Sequence, residues 1–353
     1  MAGGGLVILL TVRDLQHRAV RFVVVTLLAA VVFTLLFVMT GLVEQFNQEP
    51  YKTVDAFGAT TWVIPEGITG PFTASGTLPA DTAGLLDSDS AAPTVVARSS
   101  LRAGDETVEA VLIGVDVGGL GNPPIVDGRP LHGPGEVVVD TTVDASVGDV
   151  VAVAGRPFEV VGRSTDTTVL AGIPLVFATI GEVQDLVFKS REVISAVLVD
   201  GVAGTVPDGT VAVDADHIAE DVLKPLEDAV ASVDLVRALL WMVAAVIVGA
   251  VVYLSALERQ RDFAVLKAIG ATNRSLLGGL AIQAVLVALL AVLVAAGLQA
   301  LLVPVFPLQV RVPARAFAQV PLAAVAMALL AGAAGMRKVA RSDPAMAFAG
   351  AGG

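Results

Sequence analysis

Four stretches of the chain carry no Asp, Glu, Lys or Arg: Phe22 to Val43, Ala238 to Leu257, Ser275 to Val310 and Ala316 to Met336. Each holds the roughly 20 apolar residues that a membrane-spanning helix needs. The pattern predicts spans over 22–43, 238–257, 275–303 and 316–336. Pro304 and Pro307 set the end of the third, because proline removes a helical donor and clashes with the preceding turn. The segment 44–237 between the first two spans has short alternating or β-branched runs at 107–114, 136–140, 150–154, 158–162 and 196–199, bounded by Gly, Pro and Asp, which are strand signals. Asp214 to Ala231 places Ile218, Val222, Leu226 and Val230 at helical spacing, and 69–93 has the composition of a loop. The expected fold is a membrane protein with four transmembrane helices and a large α+β extracytoplasmic domain inserted between helices one and two.

Charge placement orients this layout. Short basic flanks are retained in the cytoplasm. The N-terminal segment 1–21 has Arg13, Arg18 and Arg21; the loop 258–274 has Arg259, Arg261, Lys267 and Arg274; the tail 337–353 has Arg337, Lys338 and Arg341. Together they hold 10 basic and 4 acidic residues, net +6, against net -18 for the remainder. Both termini and the 258–274 loop are therefore expected inside, with 44–237 and the short loop 304–315 outside. Arg311 and Arg315 are mild exceptions. The first apolar run is too long for the 7–15 residues typical of a signal-peptide core, so it reads as an uncleaved anchor, preceded by an interfacial helix.

Composition removes several chemistries. The chain has 353 residues, 55% hydrophobic and 16% charged, with no cysteine, so disulfides, Cys-ligated zinc and Cys nucleophiles are excluded. A net charge of -12 opposes nucleic-acid binding. There is no phosphate-binding loop, nucleophile elbow or zinc helix, so no catalytic residues, metal site or resident cofactor are assigned. His17, His132 and His217 lie far apart and read as surface or capping residues.

The loop from Leu257 to Arg274 carries Phe263, Leu266 and Ile269 at i, i+3, i+6, flanked by Val265, with Glu258, Arg259, Arg261, Asp262 and Lys267 largely elsewhere and Gly270 placed to end a helix. This is either an ordinary positive-inside turn lying on headgroups or a docking knuckle joined stiffly to two spans.

The run Glu258-Arg259-Gln260-Arg261-Asp262-Phe263-Ala264-Val265-Leu266-Lys267-Ala268-Ile269-Gly270-Ala271 resembles the signature loop of FtsX/MacB-type permeases, the type VII ABC transporter membrane subunits. Ser342-Asp343-Pro344-Ala345-Met346-Ala347 is similar to their C-terminal sequence. Gly133-Pro134-Gly135-Glu136 through Asp140, Val147-Gly148-Asp149-Val150-Val151 and Phe158-Glu159-Val160-Val161-Gly162 resemble pieces of the MacB-like core domain. Asp262 stands where Glu is common in the family, and no ATPase domain is fused to the chain. The resemblance implies a homodimeric, multi-pass protein of a bacterial cytoplasmic membrane. Its partner would be a separate cytoplasmic ABC ATPase in two copies, which holds the ATP and magnesium, and the 258–270 residues would couple ATP hydrolysis to export or other outer work by mechanotransmission. Small residues Ala244, Ala245 and Gly249, and Ala324, Ala328 and Gly332, would allow close helix packing. Glu44, Gln45, Glu49 and Tyr51, at the outer end of the first span, would be ligand contacts for a cationic or metal-bearing substrate, haem in the HrtB-like branch, or else simply solvated residues. Other outcomes are a hydrophobic substrate, an outer protein partner, an FtsX-like activator of a wall hydrolase, or a membrane-anchored sensor.

Overall fold

The computed structural model describes residues 19–86, 90–258, 273–306 and 310–340. The chain divides into two compact units, Met1–Glu44 with Ala231–Gly353, and Gln45–Val230. Both boundaries near 44 and 230 fall within helices, α1 (Ala19–Asp55) and α5 (Glu227–Glu258).

The first unit is helical. It contains most of α1 and α5 together with α6 (Asn273–Leu302) and α7 (Ala316–Ala340). Four described helices are long and apolar enough to cross a membrane. Their buried positions are small: Ala284, Ala288, Ala291 and Ala295 line one side of α6, and Ala316, Val320, Ala324 and Ala328 repeat every fourth residue along α7. Both sets follow the helical period, so each presents one stripe to its neighbours. Phe33, Leu36 and Phe37 of α1 fill the space that these short side chains leave. Of the small residues expected at close helix contacts, Ala244, Ala324, Ala328 and Gly332 are buried, Gly249 is half-buried with open space where a Cβ would stand, and Ala245 is exposed.

The second unit is built on an eleven-stranded sheet, counted among the described residues, in the order β13-β1-β12-β3-β4-β10-β6-β8-β5, with β7 pairing β3 and β8, and β9 pairing β10. These strands are β1 (Thr61–Pro65), β3 (Ala91–Ala103), β4 (Glu106–Val115), β5 (Ile125–Gly128), β6 (Glu136–Asp140), β7 (Val150–Val153), β8 (Arg156–Ser164), β9 (Thr168–Val169), β10 (Ile173–Thr179), β12 (Ala196–Val199) and β13 (Thr210–Asp214). Pairing is parallel at β10 with β4 and at β6 with β8, and antiparallel elsewhere. Alternate residues enter two cores on opposite faces: Val137, Val139, Val176 and Val197 in one, Val138, Leu175, Phe177 and Leu198 in the other. Helix α3 (Ile180–Val187) adds Val183 to the first core, and α4 (Ala215–Leu223) adds Ile218 and Val222 to the second.

Two expectations change. Residues 69–93 include strand β2 (Leu78–Pro79) paired with β11 (Val193–Ile194), the short helix α2 (Thr82–Leu85) and the start of β3. The helix expected over 214–231 is two helices, separated by a 3-10 turn at Lys224–Leu226 where Pro225 interrupts the ladder. Asp214 caps the first through the backbone N–H of His217 at 2.7 Å.

Candidate functional site

All four residues singled out on the first span lie on α1, which continues beyond Val43 to Asp55. At about 100° per residue, Glu44 and Tyr51 share one side of the helix and Glu49 faces away from both. Solvated acids would be exposed, but Glu49 is 3% exposed, and Glu44 and Gln45 are also buried. The solvated reading is therefore corrected for Glu44, Gln45 and Glu49, while Tyr51 is half-buried, and the reason for the two acids is visible in what they meet.

Glu49 is held by the segment between β8 and β10. Its carboxylate accepts from Thr168 Oγ1 at 2.5 Å and from the Ala171 backbone N–H at 3.0 Å. One turn further along the helix, Thr53 donates to the carbonyls of Thr168 at 2.5 Å and Asp166 at 3.2 Å. Lys52 Nζ lies 3.8 Å from Asp166, and Tyr51 packs against the second core. Asp166, Leu170 and Ala171 all adopt positive φ, at 59°, 52° and 71°. Non-glycine residues are held there at a cost of order 1–3 kcal/mol each. That conformation turns the Ala171 N–H onto Glu49. The segment is fixed from its other side by Asp140, 1% exposed, which accepts from the backbone N–H of Thr167 at 3.0 Å and its Oγ1 at 2.7 Å. Hydrogen-bond donors replace part of the water that each of these buried carboxylates has lost.

Glu44 meets a different partner. The Arg315 guanidinium, in the turn that opens α7, donates to its Oε2. Gly41, one turn earlier on α1, makes room for the same strand of chain: a Cβ there would stand 2.7 Å from Val310 Cγ1 and 3.1 Å from the Val312 nitrogen. The charge that broke the topological pattern is thus an ion-pair partner for a buried acid.

The three glycine-bearing sequence pieces converge. Gly148 N–H donates to the Val160 carbonyl at 2.8 Å, Val160 N–H to the Asp149 carbonyl at 2.8 Å, and Glu159 N–H to the Gly135 carbonyl at 2.9 Å. Glu136 takes both arms of Arg129, at 2.7 and 3.0 Å, and the backbone N–H of His132 at 2.8 Å. Those donors, Arg129 first, hold its carboxyl down at about 2. Burial pushes Asp116 up, and Arg191 holds Asp185 below the ordinary carboxylate range. Gly162 admits the Arg129 carbonyl, which would lie 2.3 Å from a Cβ. These motif residues build the sheet's turn region.

Arg259, Arg261, Asp262, Phe263, Val265, Leu266, Lys267, Ile269 and Gly270 lie outside the described residues. Glu258 is the last residue of α5. Among the described residues no three His, Asp or Glu side chains form a cation-ligand cluster. Sequence reasoning missed the roles of Arg315, Thr168 and Ala171, and had Asp140 only as the end of a core-domain piece. Only Arg315 left a signal, as a basic residue on the side where few were expected.

Residues 235–344 match the FtsX-like permease C-terminal family. Two relatives from Mycobacterium tuberculosis (strain ATCC 25618 / H37Rv), each named an uncharacterized ABC transporter permease, align over nearly the whole chain. One is 42% identical over 345 residues, covering 96% of this chain and 98% of its own length. The other is 39% identical over 342 residues with the same coverage. Among solved structures, the periplasmic region of MacB from Actinobacillus actinomycetemcomitans is 15% identical, with a TM-score of 0.34, and the alignment covers 46% of this chain and 92% of that one. The extracellular domain of YknZ from Gram-positive bacteria is 13% identical, with a TM-score of 0.28, covering 41% and 84%.

Proposed function

The chain belongs to the FtsX-like family of ABC transporter permeases, and from that membership we propose that it is the mechanotransmission subunit of a complex whose ATP is hydrolysed by a separate cytoplasmic ATPase. The observation that carries this is the alignment across 96% of the chain with proteins named ABC transporter permeases. In this reading the four apolar helices cross the cytoplasmic membrane, both termini and the 258–274 loop lie inside, and residues 44–237 lie outside. The basic flanks support that orientation. Two copies of the permease would engage two ATPase subunits. The apolar residues Phe263 and Leu266 would dock on the ATPase, with Arg259, Arg261, Asp262 and Lys267 setting the register.

Force reaching α1 would act on the outer sheet through Glu49 and Thr53, because each side chain bonds the segment that links β8 to β10. Glu49 is thus assigned a positioning role. Family membership favours this reading over a membrane-anchored sensor.

The test is to co-express the chain with its ATPase, purify the complex in nanodiscs and compare ATP turnover with that of the ATPase alone. Stoichiometric association with altered turnover supports the proposal, and Phe263→Asp with Leu266→Asp should abolish association while leaving the permease folded. Failure to associate, or co-purification unchanged by that double variant, would overturn the docking assignment.

A further inference from the structure

Strand β3 is paired along one side by β4 from Val95 to Ala103, while its other side is shared by two short strands, β12 as far as Thr94 and β7 from Leu101. Successive residues of an antiparallel strand direct their backbone groups to opposite sides. Even-numbered residues of β3 face the shared side: the Thr94 carbonyl accepts from the Ser195 N–H at 2.9 Å, and the Ser100 carbonyl from the Ala154 N–H at 3.0 Å. Val96 is met by a side chain instead of a strand, since Ser195 Oγ accepts from its N–H at 3.0 Å and donates to its carbonyl at 3.3 Å. Arg98 is next in the alternation, and among the described residues neither its N–H nor its carbonyl finds a partner on that side. Its guanidinium leans over β4 to Glu109 at 3.0 Å and leaves the strand edge open.

The open edge lies in a cleft of about 440 Å³, within the range of ligand sites. Its walls come from both faces of the sheet: Phe72, Val96 and Val111 belong to the second core, and Phe188 packs against the first. The 71–77 segment forms one wall and is held in place where Thr73 donates to the Asp221 carboxylate. From Val96 to Ser100 is about 14 Å at 3.4 Å per residue, the length of a short strand. An open backbone donor and acceptor between two apolar walls are what strand addition uses, with ladder bonds holding the added backbone and alternate side chains entering the walls on either side. An apolar ligand without an amide would fill the walls and leave both groups of Arg98 unpaired.

We propose that this cleft binds an extended segment of a partner polypeptide, one residue of which pairs its N–H and C=O with the C=O and N–H of Arg98. The site stands on the geometry of the sheet unit and does not draw on ATPase coupling, so the two readings can fail separately.

The full-length protein in nanodiscs would be equilibrated with acetyl- and amide-blocked pentapeptides that alternate threonine with valine, leucine, phenylalanine or tyrosine, and retention measured by mass spectrometry. At least one peptide should be retained at one per chain. Methylating its backbone nitrogens one at a time should weaken binding roughly three- to tenfold at the position that donates to Arg98, the effect of one hydrogen bond. Arg98→Ala keeps the backbone N–H and Arg98→Pro deletes it, and proline is tolerated where a strand's N–H points away from its ladder. The proline variant should bind roughly three- to tenfold more weakly than the alanine variant at a similar thermal midpoint. If Arg98→Pro lowers the midpoint, the methylation series on the wild type decides. No retained peptide, equal binding by the two variants at similar midpoints, or a methylation series without a sensitive position overturns the proposal. Loss of dimer in Arg98→Pro with no peptide retained would place a second copy of the chain in the cleft and also overturn it.

Discussion

Arg315 donates to the carboxylate of Glu44 across 271 residues of sequence, tying the turn before α7 to α1 within the helical unit. The partners differ in environment: the acid is 12% exposed and the guanidinium 63%. Exposed ion pairs contribute little because water competes for both charges. Here the acid has already lost most of its water, so the pair matters mainly by compensating that loss.

A double-mutant cycle tests this. Arg315→Ala alone should lower stability by about 1 kcal/mol, and in a Glu44→Gln background the same change should cost nearly nothing. The thermal midpoints of the four proteins give the coupling. Additive effects would mean that the pair contributes no stability of its own.

One turn away, Gly41 carries a steric requirement. Gly41→Val would drive a Cβ to 2.7 Å from Val310 Cγ1 and 3.1 Å from the Val312 backbone nitrogen. The valine side chain can rotate away, but the backbone atom cannot, so the expected loss is about 1–3 kcal/mol. A midpoint equal to that of the wild type would show that the 310–312 segment yields freely.

The existence of four apolar helices with a sheet domain between the first two was legible, because uninterrupted apolar runs and bounded β-branched runs are strong local signals. Strands β1 and β10 were missed for a physical reason. Trp62 and Ile64 enter one core and Val63 the other, so the strand has no polar face and no alternation to read. Phe177 and Val176 repeat the effect in β10. Glu44 and Glu49 could be picked out as acids beside an apolar run, but their partners could not. Thr168, Ala171 and Arg315 lie more than 110 residues away, and side-chain pairing over such separations leaves no periodic trace.

Gly162 offers a sharp contrast within a motif. Gly162→Ala would place a Cβ 2.3 Å from the carbonyl oxygen of Arg129, the residue that follows β5 and whose N–H is bonded to the Val161 carbonyl at 2.9 Å. A loss of about 3 kcal/mol, or failure of the chain to accumulate, is expected. Gly133→Ala, with open space around its Cβ position, is the control and should stay near the wild type. Equal behaviour of the two variants would mean that the close approach does not constrain the fold.

Acid should reveal Glu136. Its folded value of about 2 lies below the ordinary 4.5, so its contribution is fully present above about pH 4.5 and fades as pH falls toward 2. The midpoint difference between wild type and Glu136→Gln should be largest above pH 4.5 and shrink steadily toward pH 2. A difference independent of pH across that window would remove the Arg129 pairing as its cause.

In the proposed mechanism, Glu49 is the residue on which transmission through α1 turns. Glu49→Leu keeps a buried, helix-compatible side chain and deletes the acceptor for the Thr168 hydroxyl and the Ala171 N–H. The loss should be about 1–3 kcal/mol, concentrated in the 166–172 segment, whose positive-φ residues are held in place by these bonds. Amide exchange in that segment of the full chain should quicken by about tenfold or more, with β4 and β6 unchanged. In the complex, ATPase association should persist, since the substitution is remote in sequence from the 258–274 loop. What should vanish is any ATP-dependent change in exchange at 166–172. Wild-type exchange in that segment would show that the carboxylate does not hold it, and a preserved ATP response would route the motion through another contact.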